Sequence, residues 1–201
     1  MDTDSALVAR LAANLDLAFP ALVEAHAARL YTIADRYLGV PGDAEEVAQD
    51  ALVRAYAALA GYDAARIRSL NLRPWLATIT INLARNRRRR IADRTPPVQL
   101  DPLVEIGWEP STPARTSPPA VAERHEQRRE LALALLDLPG PVREAVVLRY
   151  VDGLSVSETA SALARPEGTV KAQVHRGLAL LRHNLTLQLA VQADSAGEMT
   201  A

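Results

Sequence analysis

The ten positions from Arg85 to Arg94 include six arginines and one aspartate. A guanidinium keeps its proton and donates in a planar fork, so this run suits phosphate rather than acid–base catalysis. A second cationic stretch, Gly168 to Leu185, holds Lys171, Arg176 and Arg182 and no acid. At roughly 100° per residue, Ala172, His175, Arg176, Ala179 and His183 share one side of a helix there, flanked by Lys171, Gln173 and Arg182. Val170, Val174, Gly177, Leu178, Leu181 and Leu185 share the other side. Small alanines let a helix enter a major groove, and Arg, Lys and Gln donate to guanine and adenine edges. Both patches point to nucleic acid, although a solvated helix face or a helix end favoured by its dipole accounts for either one alone.

Catalytic constellations are missing. The chain has no cysteine, which excludes disulfides, thiol catalysis and cysteinyl metal sites. Its four histidines (His26, His125, His175, His183) show no ligand spacing with carboxylates. Gly153-Leu154-Ser155-Val156-Ser157 lacks the last glycine of a nucleophile elbow, and no phosphate-binding glycine loop occurs. The expectation is therefore no enzyme, no cofactor and no metal. No apolar run approaches the ~18 residues of a membrane span, and no signal-type segment opens the chain, so a cytoplasmic protein is expected.

Positioning the cationic patches falls to helices. Of the 201 residues, 49% are apolar and only 4% aromatic, so Leu, Ala, Val and Ile must fill the core, which favours an all-α protein. Seven of the thirteen prolines lie between Thr95 and Ala122. They forbid helix and predict an extended linker, 95–122, between a unit of residues 1–94 and one of 123–185, with a tail at 186–201. In the first unit, Leu7 to Leu38 carry helical spacing with a break or kink expected at Pro20. Asp43 with Glu46 reads as a capping box opening a helix that ends near Gly61. Pro74 suits the first turn of a third helix, striped by Trp75, Leu76, Ile79 and Leu83 and running into the arginines. In the second unit helices are expected at 123–137, 141–151, 155–164 and 168–185. Ser155 with Glu158 forms another capping box, and Ala164 to Glu167 makes the turn of a helix-turn-helix.

Leu138-Pro139, Arg143, Val147, Leu148-Arg149-Tyr150, Gly153, Ser155, Glu158, Ala160, Leu163, Pro166-Glu167-Gly168-Thr169-Val170-Lys171 and Val174-His175-Arg176 form one such pattern. Asp43-Ala44-Glu45-Glu46-Val47, Gln49-Asp50, Arg54-Ala55, Trp75-Leu76, Ile79 and Asn82-Leu83-Ala84 form another. Together they resemble regions 4 and 2 of the extracytoplasmic function (group 4) sigma factors of bacterial RNA polymerase, within the sigma-70 family. The chain departs from that pattern at Ala172 and Gln173, where Ser and Arg are usual, at Gly177-Leu178 for Ala-Arg, at Ile81 for Arg and at Asn86 for Asp. Its loop from Tyr62 to Arg73 is also about three residues longer.

The resemblance implies a transcription initiation factor that binds polymerase core and reads one promoter in two forms. Gly168, Thr169, Lys171, Gln173, His175 and Arg176 would take the minus-35 element as duplex. Ser69, Asn71, Asn82, Arg85, Asn86, Arg89 and Arg90 would take the minus-10 element as a melted strand. Glu46, Gln49, Asp50 and Arg54 would dock on the clamp helices of the largest polymerase subunit, with the flap of the second-largest as another contact and an anti-sigma factor as a further partner. The 28-residue linker spans at most ~92 Å, or ~29 Å as a relaxed coil, against promoter elements roughly 70 Å apart. It must be drawn out, with Asp101, Glu105 and Glu109 imitating nucleic acid charge in the polymerase channel. A rival reading of the residues is a conventional helix-turn-helix regulator acting without core polymerase.

Overall fold

The computed structural model describes residues 3–94 and 130–198, with side chains placed for 4–91 and 130–186. The expected linker at 95–122, with Asp101, Glu105 and Glu109, lies outside the described residues. Within them the elements are all helical: α1 Thr3–Ala13, α2 Leu15–Leu38, α3 Pro41–Ala60, α4 Ala64–Arg68 and α5 Leu72–Arg94, then α6 at 130–136, α7 Gly140–Val146, α8 Val156–Leu163 and α9 Glu167–Glu198.

The first helical stretch breaks at Asn14, not at Pro20. The Asn14 side chain accepts the Leu17 N–H at 3.1 Å and restarts the helix as an N-cap, and Pro20 then sits inside α2. A side-chain cap starts a helix more decisively than proline ends one that neighbouring packing supports. The stretch ends at Gly39, whose φ of 74° is left-handed and whose N–H bonds the Asp35 carbonyl at 2.8 Å. Asp43 and Glu46 are not a capping box: α3 starts with Pro41 in its first turn and no side-chain cap, and both acids turn to Arg87. The segment after Tyr62 folds as the short α4, capped by Asp63, which accepts from Arg66 N at 2.7 Å. Pro74 occupies the first turn of α5, as expected.

Helices α2, α3 and α5 pack through Leu22, Leu30 and Ile33, through the alanine-rich face Ala44, Ala48, Ala51 and Ala55, and through Leu76, Ala77 and Ile81. Alanines bring the axes close. Ala145, Val147, Leu148, Leu154, Leu163 and Val170 join this same core from the C-terminal half. A smaller cluster of Ala134, Leu135, Leu138, Val142, Val146 and Leu181 holds α6, α7 and α9 together. Two units too small to bury much surface separately thus share one core.

Helix α7 runs into a π-helical turn, Val147–Val151, in which Asp152 N bonds Val147 O at 2.9 Å. That wider turn delivers Asp152 inward. Helix α8 carries the expected capping box: Glu158 N donates to Ser155 Oγ at 3.1 Å and Ser155 N to Glu158 Oε2 at 2.8 Å. It ends on Ala164, held at φ 51°, and α9 begins at Glu167. Helix α9 does not stop at 185; its backbone stays helical through Glu198, across most of the expected tail.

Candidate nucleic-acid interface

The second helix of the helix-turn-helix shows the two-sided character its sequence predicts. Val170, Gly177 and Leu181 are buried, whereas Gly168, Thr169, Lys171, His175 and Arg176 are exposed, together with Ala172, Ala179, Arg182 and His183. Gly177 permits the contact, because a Cβ there would stand 3.0 Å from Val142 Cγ1 and nearer still to Val146 Cγ2. Lys171 reaches Glu167 at 3.8 Å, an exposed pair of little energetic weight. Gln173 is half-buried and accepts from Arg165 Nη1 at 3.1 Å. The same guanidinium bonds Pro141 O at 3.0 Å and Glu144 Oε2. Arg165 therefore orients a candidate base-reading side chain, and the sequence reading missed it. Its one signal was a lone cation in the turn.

The arginine run divides. Arg85 turns inward, donating from Nε and Nη2 to the two Glu144 oxygens at 2.9 Å each and from Nη1 to Asn82 Oδ1 at 3.1 Å. Arg87 pairs with Asp43 and, at 2.8 Å, with Glu46. Arg88 lies over the Tyr37 ring. Asn82, Asn86, Arg89 and Arg90 are exposed, Asn86 and Arg90 beside Asp50 and Arg54 in a small cleft. An α-helix presents successive residues to different neighbours, so a run in sequence is not a single patch in space.

Near α4 a cleft of about 590 Å³ is lined by Asp4, Val8, Arg68, Ser69, Asn71 and Glu158, among others. Ser69 is exposed, and its hydroxyl donates to Arg66 O at 2.8 Å. Asn71 Nδ2 donates to Glu158 Oε1 at 3.0 Å. Of the four residues expected at a polymerase surface, all are exposed along α3: Glu46 toward Arg87, Gln49 donating to Glu45 at 3.3 Å, then Asp50 and Arg54. Val53 beside them is exposed and apolar, a feature the sequence reading passed over.

Between the halves lie charged groups no periodicity announces. Asp152 takes both Nε and Nη2 of Arg29 on its carboxylate, while its carbonyl accepts from Arg73 Nη2 at 2.7 Å. Burial works against the charge on Glu144, but bonding and attraction from Arg85 and Arg165 outweigh it and hold its carboxyl below the ordinary range. Burial, reinforced by the nearby Arg88 cation, lowers Arg143 to about 10. Arg143 donates to Tyr37 O at 2.8 Å and Leu138 O at 3.0 Å, tying α7 to α2. His26 is buried below this layer, its Nε2 3.4 Å from Asp4 Oδ1. Among the described residues no cluster of His and acids could hold a metal ion, and no helix is long and apolar enough to cross a membrane.

Two family models match: Sigma-70 region 2 over residues 22–95 and Sigma-70, region 4 over 128–181. The chain is 32% identical over 174 residues to the ECF RNA polymerase sigma factor SigW of Bacillus subtilis (strain 168), covering 84% of this chain and 89% of that relative. It is 30% identical over 179 residues to the ECF RNA polymerase sigma-E factor of Escherichia coli (strain K12), covering 87% and 90%. Among solved structures, CnrH in complex with the cytosolic domain of CnrY aligns with a TM-score of 0.66 at 28% identity, over 92% of this chain and 99% of that one. RpoE of Bartonella quintana, in complex with the anti-sigma factor NepR, shares the fold with a TM-score of 0.59 at 24% identity, over 84% and 96%.

Proposed function

The chain belongs to the extracytoplasmic function sigma factors of RNA polymerase, and on that footing we propose that it recognises a promoter with two surfaces, α9 for duplex and the α4–α5 face for a melted strand. Membership makes it a transcription initiation factor and not an enzyme.

The observation that carries the reading is the exposed, acid-free face of α9 from Gly168 to His183. Gly168 and Thr169 in its first turn offer backbone N–H groups to phosphate, and Lys171, His175 and Arg176 follow along the groove-facing side. Gln173, steadied by Arg165, adds a group able to pair with adenine. Extruding a base costs a few kcal/mol. The cleft beside Ser69 and Asn71 has the volume for a base, and Arg89 and Arg90, with Asn82 and Asn86 near them, supply cations and donors along a strand. Glu46, Gln49, Asp50 and Arg54 on α3 dock on the clamp helices of the largest polymerase subunit, and the C-terminal unit contacts the flap of the second-largest. An anti-sigma factor is a further partner, in keeping with the complexes in which the similar folds were solved.

The test is transcription of bacterial genomic DNA by core polymerase with and without the purified chain, mapping transcript 5′ ends. New, discrete start sites sharing two sequence blocks are expected. An unchanged 5′-end map, with the chain binding duplex DNA by itself, would replace this reading with that of a regulator independent of core.

A further inference from the structure

We propose that Glu144 and Arg165 form a positioning relay that makes Gln173 a reader by donation, so that the duplex surface rejects cytosine at the base Gln173 faces. The proposal rests on the reading above for α9, and adds which base edge one of its side chains accepts and what decides it.

A glutamine amide carries an acceptor at one corner and two N–H donors at the other, and its own chemistry does not say which faces outward. Arg165 decides. A guanidinium only donates, so the atom 3.1 Å from Arg165 Nη1 is the carbonyl oxygen Oε1, which leaves Nε2 on the other side. Nε2 has no partner among the described residues. In the major groove adenine offers an acceptor at N7, guanine at N7 and O6, and thymine at O4, whereas cytosine offers only its N4 amino donor. An outward N–H therefore finds a partner on three bases and faces another donor on the fourth. Two donors set against each other stay unpaired where water has been displaced, which is costly.

Arg165 can impose this orientation because it is itself held. It lies in the turn between α8 and α9, directly after Ala164 at φ 51°, with its N–H on Ala160 O at 3.0 Å. Its side chain reaches back to α7, where Nη1 also bonds Pro141 O at 3.0 Å and Nη2 bonds Glu144 Oε2. The Glu144 side chain is only 3% exposed, and a carboxylate in so dry a place keeps its cation close. Arg85 bonds the same carboxylate from the N-terminal unit. The links from Glu144 to Arg165 to Gln173 nevertheless lie wholly inside the C-terminal unit, and need nothing from the other half.

The experiment uses core polymerase carrying the full chain. It binds pools of duplexes built on an upstream block from the mapped start sites, each position set in turn to all four bases, and the bound and input pools are sequenced. Wild type should disfavour cytosine by about tenfold at one position, which Gln173→Ala identifies by removing the preference there. Arg165→Ala and Glu144→Gln should each remove it at that same position, and the two together no more than either alone, with preferences elsewhere unchanged. General loosening of the unit would instead weaken every sequence alike. Circular dichroism and a cooperative melt establish the fold of both variants; Arg165, a fifth exposed in a turn, carries the test if Glu144→Gln melts early. Cytosine accepted by wild type at the position Gln173→Ala alters, a Gln173→Ala profile identical to wild type, or a cytosine preference that survives Arg165→Ala would each overturn the proposal. Failure of the functional reading looks different: no start sites are redirected, and polymerase carrying the chain retains every duplex alike.

Discussion

Arg29 and Asp152, 123 residues apart in sequence, form an ion pair in which one guanidinium takes both carboxylate oxygens and the carboxylate side chain has no solvent exposure. A buried pair of this kind contributes little net stability relative to apolar residues of the same size, because desolvation offsets the attraction. It is costly to break from one side, since the surviving charge is left in a dry place. Here the pair lies where the two halves meet.

Asp152→Ala should therefore destabilise the chain by about 3–5 kcal/mol. Arg29→Met combined with Asp152→Leu should recover much of that loss. Urea unfolding of the two variants beside the parent measures both numbers; equal stabilities of the single and double variants would contradict the account.

Acid should weaken the structure through two groups whose losses begin at different pH. Burial pulls His26 below its ordinary 6.5, against Asp4 and Asp152 and with Arg29 and Arg73, so the folded form holds fewer protons than the unfolded one. Stability from that group is complete above pH 6.5 and declines as pH falls from there toward the lowered folded value. Glu144 starts from 4.5 and is depressed, so its share is present above that value and is lost further down. Thermal melts from pH 8 to 3 should slope in both ranges. His26→Leu should flatten the upper slope alone, and Glu144→Gln the lower.

Gly177→Ala should lower the melting temperature although alanine favours helix by about 1 kcal/mol. The new methyl meets Val146 and Val142 across the α7–α9 contact, and overpacking of this kind costs about 1–3 kcal/mol. Val146→Ala in the same chain should restore most of the loss, and a melting temperature raised by Gly177→Ala alone would refute the crowding argument.

Arg176→Ala should weaken duplex promoter binding by holoenzyme by about 1–3 kcal/mol if the guanidinium reads a base, with core association unaffected. Arg165→Ala should act through Gln173, relaxing discrimination at one base position while leaving affinity for random duplex unchanged. A competition assay over single-base promoter variants separates the two, since loss of overall affinity in Arg165→Ala would make it a phosphate contact instead.

Local signals were legible where their cause lay within a turn or two of chain. The Ser155–Glu158 box acts over three residues, Pro74 suits any first turn, and the inward stripe Val170, Gly177 and Leu181 follows the helical period. Asn14 outranked Pro20 because a cap bond is made locally, while the cost of a proline depends on how well the rest of the helix is held. Asp43 and Glu46 have capping-box spacing, yet Arg87 on another helix took both.

The sequence by itself determined that this is a helical protein with a two-faced C-terminal helix and a cationic third helix, because helix formation, capping and amphipathic burial are short-range consequences of residue type. The tertiary structure alone decided which arginine meets which acid. Arg85 found Glu144, Asn71 found Glu158 and Arg29 found Asp152 across 59 to 123 residues, once the merging of two small cores had set the faces against each other. A charge has no periodicity and can pair in any direction, so only the packing of the apolar residues around it chooses its partner.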